Sequence, residues 1–237
     1  MSFATIHEID AVHCAFEPQP WLWAEREAHR IDAHWASLVA HKPALYDGPV
    51  MLMKRWDILG KRLDAACFQT RFSRFISWRD FGKPDASVRN GYAMAALMSS
   101  DGAFMLGEMN AHTANAGMIY FPAGTPDPGD LKGDTVDLEG SVLRELAEET
   151  GLTAADVEMG QGWTVILTEG VVACMKIVRA RDDAARLQGR IEDFLAAEKQ
   201  PELARMHVVR DARDINDRMT LSVAAFLRHA FAARQNG

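Results

Sequence analysis

The chain has 237 residues, of which 48% are hydrophobic and 25% charged, and it carries a formal net charge of −7. This length is enough to bury a sizeable core, either as one large domain or as a catalytic domain with an added lobe. The acidic balance argues against broad nonspecific binding to nucleic acid, whose phosphates need a basic face. We therefore expect a small anionic partner that is delivered with metal.

The sequence also lacks the patterns of membrane insertion and export. No apolar run reaches the roughly 18 residues that a membrane-spanning helix needs. Residues 1–15 include Glu8 and Asp10 where a signal peptide would be apolar. The three cysteines are too few and too widely spaced for a disulfide framework or a zinc cluster. A cytoplasmic location is expected.

The first third of the chain predicts a small lobe. Apolar residues recur at helical spacing over residues 20–41, and Pro43 ends the pattern. Residues 49–57 and 61–70 are typical of paired strands, whereas 72–81 is ambiguous between helix and strand. The polar stretch 82–91 contains Pro84 and is the best candidate for a boundary. We predict an N-terminal α+β lobe over residues 1–85 and a second domain over 86–237.

Strands and helices alternate in the second part. Residues 92–98 and 103–108 flank a turn and suggest a hairpin, and a short strand follows at 118–121. A helix is predicted over 138–150, ended by Gly151. The remaining predicted elements are strands at 163–167 and 171–179 and helices at 182–198 and 218–234. This order predicts an α/β (α+β) fold in which helices cover a mixed sheet.

The sharpest local signal is RELAEETGL at residues 144–152, preceded by FPAG at 121–124. On a helix, Glu145, Glu148 and Glu149 fall within an arc of roughly 100°, next to an apolar arc. Three like charges at this spacing repel one another, and hard cations remove that cost. Carboxylate oxygens are the ligands that Mg²⁺ and Mn²⁺ prefer. A solvated acidic face is the alternative, but the glycine turns on both sides favour a metal site.

This pattern resembles the Nudix box, which reads Gly, five residues, Glu, seven residues, then Arg-Glu-aliphatic-any-Glu-Glu-any-Gly-aliphatic. The second half matches at every fixed position from Arg144 to Leu152. In the first half, Asp130 follows Gly124 after five residues in place of Glu, and thirteen residues rather than seven precede Arg144. The loop therefore carries six extra residues. Counted strictly backwards, the Glu position holds Val136, so the role of Asp130 stays open.

The resemblance extends in element order over residues 92–234 and implies a Nudix α/β/α sandwich. It also implies hydrolysis of a pyrophosphate linkage in a nucleoside diphosphate derivative, with Mg²⁺ or Mn²⁺ as cofactor. Glu148 and Glu149 would hold cations, Glu145 would hold a cation or accept the proton of water, and Gly124 would offer a backbone carbonyl. Arg144 would orient the glutamates. Glu148 and Glu149 compete with Glu145 for the role of general base.

Several alternatives stay open. The substrate can be a nucleotide sugar, ADP-ribose, a dinucleotide or coenzyme A, because these share the metal helix and differ in the loops. The interrupted box favours a second reading, a catalytically inactive Nudix-like module that binds a nucleotide for regulation. A further metal ligand can come from Glu192, Glu198 or Glu202. Residues 112–115 form a loop where substrate can approach, and the N-terminal lobe can cap the site or mediate a homodimer.

Overall fold

The structure of the chain is a computed structural model that describes residues 4–235. Residues 1–3 and 236–237, at the outer ends of the predicted lobe and domain, lie outside the described residues. The strands are β1 (Thr5–Ile9), β2 (Ala11–Phe16), β3 (Pro49–Leu59), β4 (Arg62–Arg71), β5 (Asn90–Met98), β6 (Phe104–Met109), β7 (Ile119–Tyr120), β8 (Ala123–Gly124), β9 (Leu131–Lys132), β10 (Thr135–Val136), β11 (Val157–Met159), β12 (Trp163–Thr168), β13 (Val171–Ala180) and β14 (Leu203–Val209). The helices are α1 (Leu22–Arg26), α2 (Ala28–His41), α3 (Phe72–Asp80), α4 (Leu138–Thr150), α5 (Ala184–Ala197) and α6 (Leu221–Gln235).

The strands form two sheets. The larger has nine strands in the order β1-β12-β13-β5-β6-β14, with β11, β7 and β8 attached to β13, β6 and β5. This sheet is mixed, because β13 and β5 run parallel whereas the other strand pairs of the sheet are antiparallel. The smaller sheet has five strands in the order β3-β4-β2-β10-β9.

Helices cover both faces of the larger sheet. Lys176 of β13 is in register with Ala95 of β5, so both point to the same face, where Lys176 Nζ lies 2.9 Å from Glu139 of α4. Tyr92, three residues before Ala95, points to the other face, and its hydroxyl lies 3.1 Å from that of Ser222 in α6. Helix α5 packs against β14 and α4. The predicted α/β/α sandwich with a mixed sheet is confirmed.

Residues 4–85, the described part of the predicted N-terminal lobe, contain the predicted strand pair, since β3 and β4 are antiparallel neighbours. The prediction of a single helix over residues 20–41 is wrong in one respect, because the observed helix is broken at Glu27 into α1 and α2. The ambiguous segment is helix α3. Apolar side chains from all of these elements form a separate core, whose buried aromatic rings are those of Trp21, Trp23, Phe68, Phe75 and Trp78.

Strand pairing crosses the predicted boundary in both directions. Strand β1 lies in the larger sheet, where Ile6 pairs with Ile166 of β12. Conversely, β9 and β10 extend the smaller sheet, where Thr135 pairs with Ala15 of β2. The division at residues 85 and 86 therefore stays a proposal, with each part contributing strands to the sheet of the other.

The predicted hairpin is present at its turn, where Met98 of β5 pairs with Phe104 of β6. Beyond that pair the two strands diverge, and β8 pairs with β5 while β7 pairs with β6. This arrangement places Ala123 and Gly124 inside the sheet, next to α4. Within the described part of the chain, no helix is both long and apolar enough to span a membrane.

Candidate functional site

Helix α4 has the bounds that the sequence predicts. Its start is capped by Asp137, whose side chain accepts a hydrogen bond of 3.0 Å from the Gly140 N–H. Its end is fixed by Gly151, which has a φ of 70° in the left-handed region that favours glycine. Val142 and Leu146 are fully buried, so the apolar side of the helix faces the sheet.

The acidic side of α4 is graded in exposure. The side chains of Glu148 and Glu145 are 59% and 12% exposed, and Glu149 is only 4% exposed. The sequence predicted one acidic face beside a core face. Two of the three carboxylates on that acidic face, those of Glu145 and Glu149, enter a partly closed space between α4 and the edge of β8.

Strand β8 brings the FPAG turn against these carboxylates. The backbone N–H of Ala123 donates a hydrogen bond of 3.3 Å to Glu149 Oε1. A Cβ atom placed on Gly124 would lie 2.1 Å from Glu145 Oε1, so the carboxylate occupies the room that a side chain would need. A side chain at this position would therefore displace the Glu145 carboxylate.

Arg144 connects the acidic residues. Its Nη1 lies 2.7 Å from Glu145 Oε1 and 3.1 Å from Glu148 Oε2. Its Nη2 donates to both oxygens of Asp130 at 3.1 Å. Asp130 is buried and also accepts a hydrogen bond from the Asp127 backbone, closing a short 3-10 turn. Asp130 therefore fixes the position of Arg144, which contacts Glu145 and Glu148.

The extra residues of the box loop have a defined structure. Residues 131–136 form the β9–β10 hairpin, which is paired to β2 of the N-terminal lobe. A hydrogen bond of 2.7 Å from Phe16 N–H to the Asp134 carbonyl adds to this junction. The interruption of the box thus ties the N-terminal end of α4 to the lobe.

Burial makes these carboxylates costly to charge. It raises the pKa of Glu145 to about 7, with the charges of Glu148, Glu202 and Asp130 adding to the rise and Arg144 opposing it. Burial likewise raises the pKa of Glu149, reinforced by the charges of Glu145 and Glu202. Both shifts have the sign expected of carboxylates that burial withdraws from water.

Glu202 is the outside carboxylate that the fold brings to this cluster. It follows α5 at the start of β14, and its charge acts on both Glu145 and Glu149. By contrast, Glu192 accepts a hydrogen bond from Gln188 on the outer surface of α5, and Glu198 caps the end of that helix. Sequence spacing could not choose among the three, because the choice depends on how β14 pairs with β6.

The donor set fits a divalent cation. Glu149 Oε2 is buried and has no hydrogen-bond partner within residues 4–235. An open carboxylate oxygen with like-charged neighbours is suited to a hard cation. Among these same residues, however, no three His, Cys, Asp or Glu side chains are already gathered to hold a metal ion. Arg144 accounts for part of this, because Glu145 and Glu148 both turn towards its guanidinium.

A cavity of about 350 Å³ adjoins the acidic cluster. Gly124 and Glu202 form part of its lining, and α3 of the N-terminal lobe supplies Phe72, Phe75 and Arg79. Three residues of the predicted approach loop, Thr113, Ala114 and Asn115, also line it. The contribution of α3 could not be predicted, because residues 72–81 are ambiguous between helix and strand and carry no motif.

Comparison with known proteins yields similarity to solved structures alone. No protein-family model matches the chain, and no curated protein sequence is significantly similar to it. A Nudix hydrolase from M. smegmatis, RenU, aligns over 62% of this chain and 87% of its own, with a TM-score of 0.42 and 16% identity. The MutT protein from Methanosarcina mazei Go1 aligns over 63% and 96%, with a TM-score of 0.42 and 17% identity. An Ap4A hydrolase from C. elegans, in a binary complex, aligns over 62% and 99%, with a TM-score of 0.41 and 16% identity.

Proposed function

We propose that the chain is a Nudix-type pyrophosphohydrolase that uses Mg²⁺ or Mn²⁺ to cleave a pyrophosphate linkage in a nucleoside diphosphate derivative. The observation that carries this proposal is the buried carboxylate of Glu149. Its open Oε2 lies in a space shared with the charges of Glu145 and Glu202. Such a cluster is costly to keep without cations, and cations also attract the phosphates of a substrate.

The residues that would hold the cations are Glu145, Glu148 and Glu149, with Glu202 as the ligand from outside the helix. When bound, Mg²⁺ or Mn²⁺ neutralises phosphate charge and makes a coordinated water easier to deprotonate. Glu148 lies at the exposed end of the set and needs only to turn from Arg144 to join it.

The chain's own groups then have separate tasks. Water attacks one phosphorus, the bridging P–O bond breaks, and two phosphate-bearing products form. Glu145 would accept the proton of that water, a role supported by its position inside the cluster beside Gly124. Arg144, held by Asp130, orients Glu145 and Glu148 through charge-assisted hydrogen bonds. Helix α4 and β8 together exclude bulk water from the inner carboxylates.

A second function, nucleotide binding without turnover, is favoured by one observation. Arg144 engages Asp130, Glu145 and Glu148 at once, which is a complete ion-pair network in itself. A protein that kept this network closed would bind a nucleotide in the cavity and leave the phosphates intact.

The deciding experiment measures phosphate and nucleotide release from ADP-ribose, UDP-glucose, diadenosine polyphosphates, NADH and coenzyme A in excess Mg²⁺ or Mn²⁺. The native chain is compared with Glu149→Gln and with Glu158→Gln, an exposed glutamate of β11 that serves as the control. We expect metal-dependent cleavage of at least one compound, lost in Glu149→Gln alone. Nucleotide binding by the folded native chain without any cleavage would instead establish the regulatory module.

A further inference from the structure

The cavity beside the acidic helix lies between the two parts of the chain. Its volume of about 350 Å³ is within the range of small-molecule sites, roughly 300–1,000 Å³. One wall is α3 of the N-terminal lobe, and the other includes β5, β7 and β8 with the loop before β7. Because Gly124 and Glu202 belong to both the cavity and the acidic cluster, a ligand can reach the cluster from the cavity.

The α3 wall is aromatic and supported from behind. The ring centroids of Phe72 and Phe75 are 5.9 Å apart, and the two planes meet at 64°. Trp35 of α2 packs against Phe72 at 6.1 Å, and Trp78 packs against Phe75 at 6.4 Å. Phe72 is only partly buried, so part of its ring surface is free for a ligand. Rings held in this way offer flat contact area at little cost in side-chain entropy.

The opposite side of the cavity presents oriented amide groups. Asn115 Oδ1 accepts a hydrogen bond of 2.9 Å from Arg79 Nη1, and its Nδ2 donates one of 3.3 Å to the Tyr120 hydroxyl. These two bonds fix the amide and leave it one further N–H and one further lone pair. Asn90 has a single longer bond, in which its Oδ1 accepts from Thr125 Oγ1 at 3.4 Å. Each amide therefore presents both donor and acceptor capacity next to an aromatic wall.

We propose that this cavity holds the nucleobase of the substrate, with the N-terminal lobe supplying the stacking surface through Phe72 and Phe75. The inference rests on the proposed function for the position of the phosphates at the acidic cluster. A planar heterocycle uses both features of the cavity, since its faces stack on aromatic rings and its edge pairs with amides. A sugar ring or an alkyl chain has no planar π-face to offer to Phe72.

The test is calorimetric binding of AMP, GMP, UMP and CMP to the full chain in Mg²⁺, with ribose 5-phosphate as the probe without a base. We expect at least one nucleotide to bind roughly tenfold or more tightly than ribose 5-phosphate, the size expected from base stacking on an aromatic ring. In Phe72→Leu this preference should fall towards unity, while ribose 5-phosphate binds as before. Phe81→Leu is the matched control, since Phe81 is also partly buried but packs against His34 and Arg30 away from the cavity.

Two results would overturn the inference: equal binding of nucleotides and ribose 5-phosphate, or a preference that survives Phe72→Leu as well as it survives Phe81→Leu. The Glu149→Gln variant separates this outcome from failure of the proposed function. If it binds nucleotides with the native preference and only hydrolysis is lost, both proposals hold. If the native chain shows the Phe72-dependent preference but hydrolyses nothing, the base site stands and the hydrolase proposal falls.

Discussion

The guanidinium of Arg144 donates hydrogen bonds to both carboxylate oxygens of Asp130, at Nη2–oxygen distances of 3.1 Å. The Asp130 side chain is 3% exposed, so this pair is screened from solvent on the aspartate side. Paired N–H donors matched to two oxygens fix the plane of the guanidinium as well as its position. Asp130, which stands where the Nudix box has Glu when counted from Gly124, therefore holds Arg144 in place.

Replacing Asp130 with asparagine tests that task. The amide keeps the shape but loses the charge and one acceptor, so Arg144 is held less well. We expect kcat to fall by about 10–100-fold, as for loss of an outer-shell partner, and the free energy of unfolding to fall by about 1–3 kcal/mol. Steady-state kinetics and urea unfolding measure both. Asp134→Asn, an exposed residue of the β9–β10 turn, should change neither; a native kcat in Asp130→Asn would show that Asp130 acts on stability alone.

Adding a methyl group at Gly124 should disturb the site directly. The new Cβ would lie 2.1 Å from Glu145 Oε1, so the carboxylate must move. We expect Gly124→Ala to lose activity by roughly 100-fold, the size associated with misplacement of a reacting group by about 1 Å. Gly189→Ala is the control, because a Cβ there meets no other atom within 4 Å. Equal activities in the two variants would remove Gly124 from the site.

The raised pKa of Glu145 predicts how the metal-free protein responds to pH. The pKa rises from 4.5 to about 7 on folding, so between these values the folded state keeps a proton that the unfolded state has lost. The free energy of unfolding should therefore fall as pH rises through this window. Thermal unfolding in EDTA at several pH values measures the slope, which should be shallower in Glu145→Gln. Identical slopes in the two proteins would contradict the burial of this charge.

Glu202 can be separated from the other two candidate outside ligands. Because its charge acts on Glu145 and Glu149, Glu202→Gln should raise the Mg²⁺ concentration for half-maximal activity by about 10–100-fold. Glu192→Gln and Glu198→Gln should leave that concentration unchanged, since those residues lie on or at the end of α5. A larger effect in either of them would reassign the ligand.

The sequence predicts the long periodic elements well. Helix α4 has a capping residue, a regular apolar side and an αL glycine, and its bounds match the prediction. Strands β1 and β2 were missed because each is short. They are separated only by Asp10, yet β1 belongs to the larger sheet and β2 to the smaller one. Strand β14 was missed because LARMHVV does not alternate regularly between apolar and polar residues. These elements are determined by pairing partners distant in the chain.

In the candidate site too, the sequence predicts what lies within one helix and misses what depends on distant elements. Residues within one helix, such as Glu145 and Glu149, share a face by geometry and can be grouped from the sequence. Their unequal burial cannot, because it depends on β8 passing beside them. The contribution of Phe72 is likewise invisible locally, since the aromatic wall exists only when α3 faces the larger sheet.

The exchange of strands between the two sheets has a practical consequence for dissecting the protein. A fragment starting at residue 86 would lack β1, leaving β12 as an open edge, and its β9–β10 hairpin would have lost its partner β2. A fragment ending at residue 85 would lack β10, so the edge of β2 that pairs with β10 would be exposed. Open strand edges pair readily with other chains. Separately expressed halves should therefore aggregate or recombine with each other, and the question of what the lobe recognises must be asked of the uncut chain.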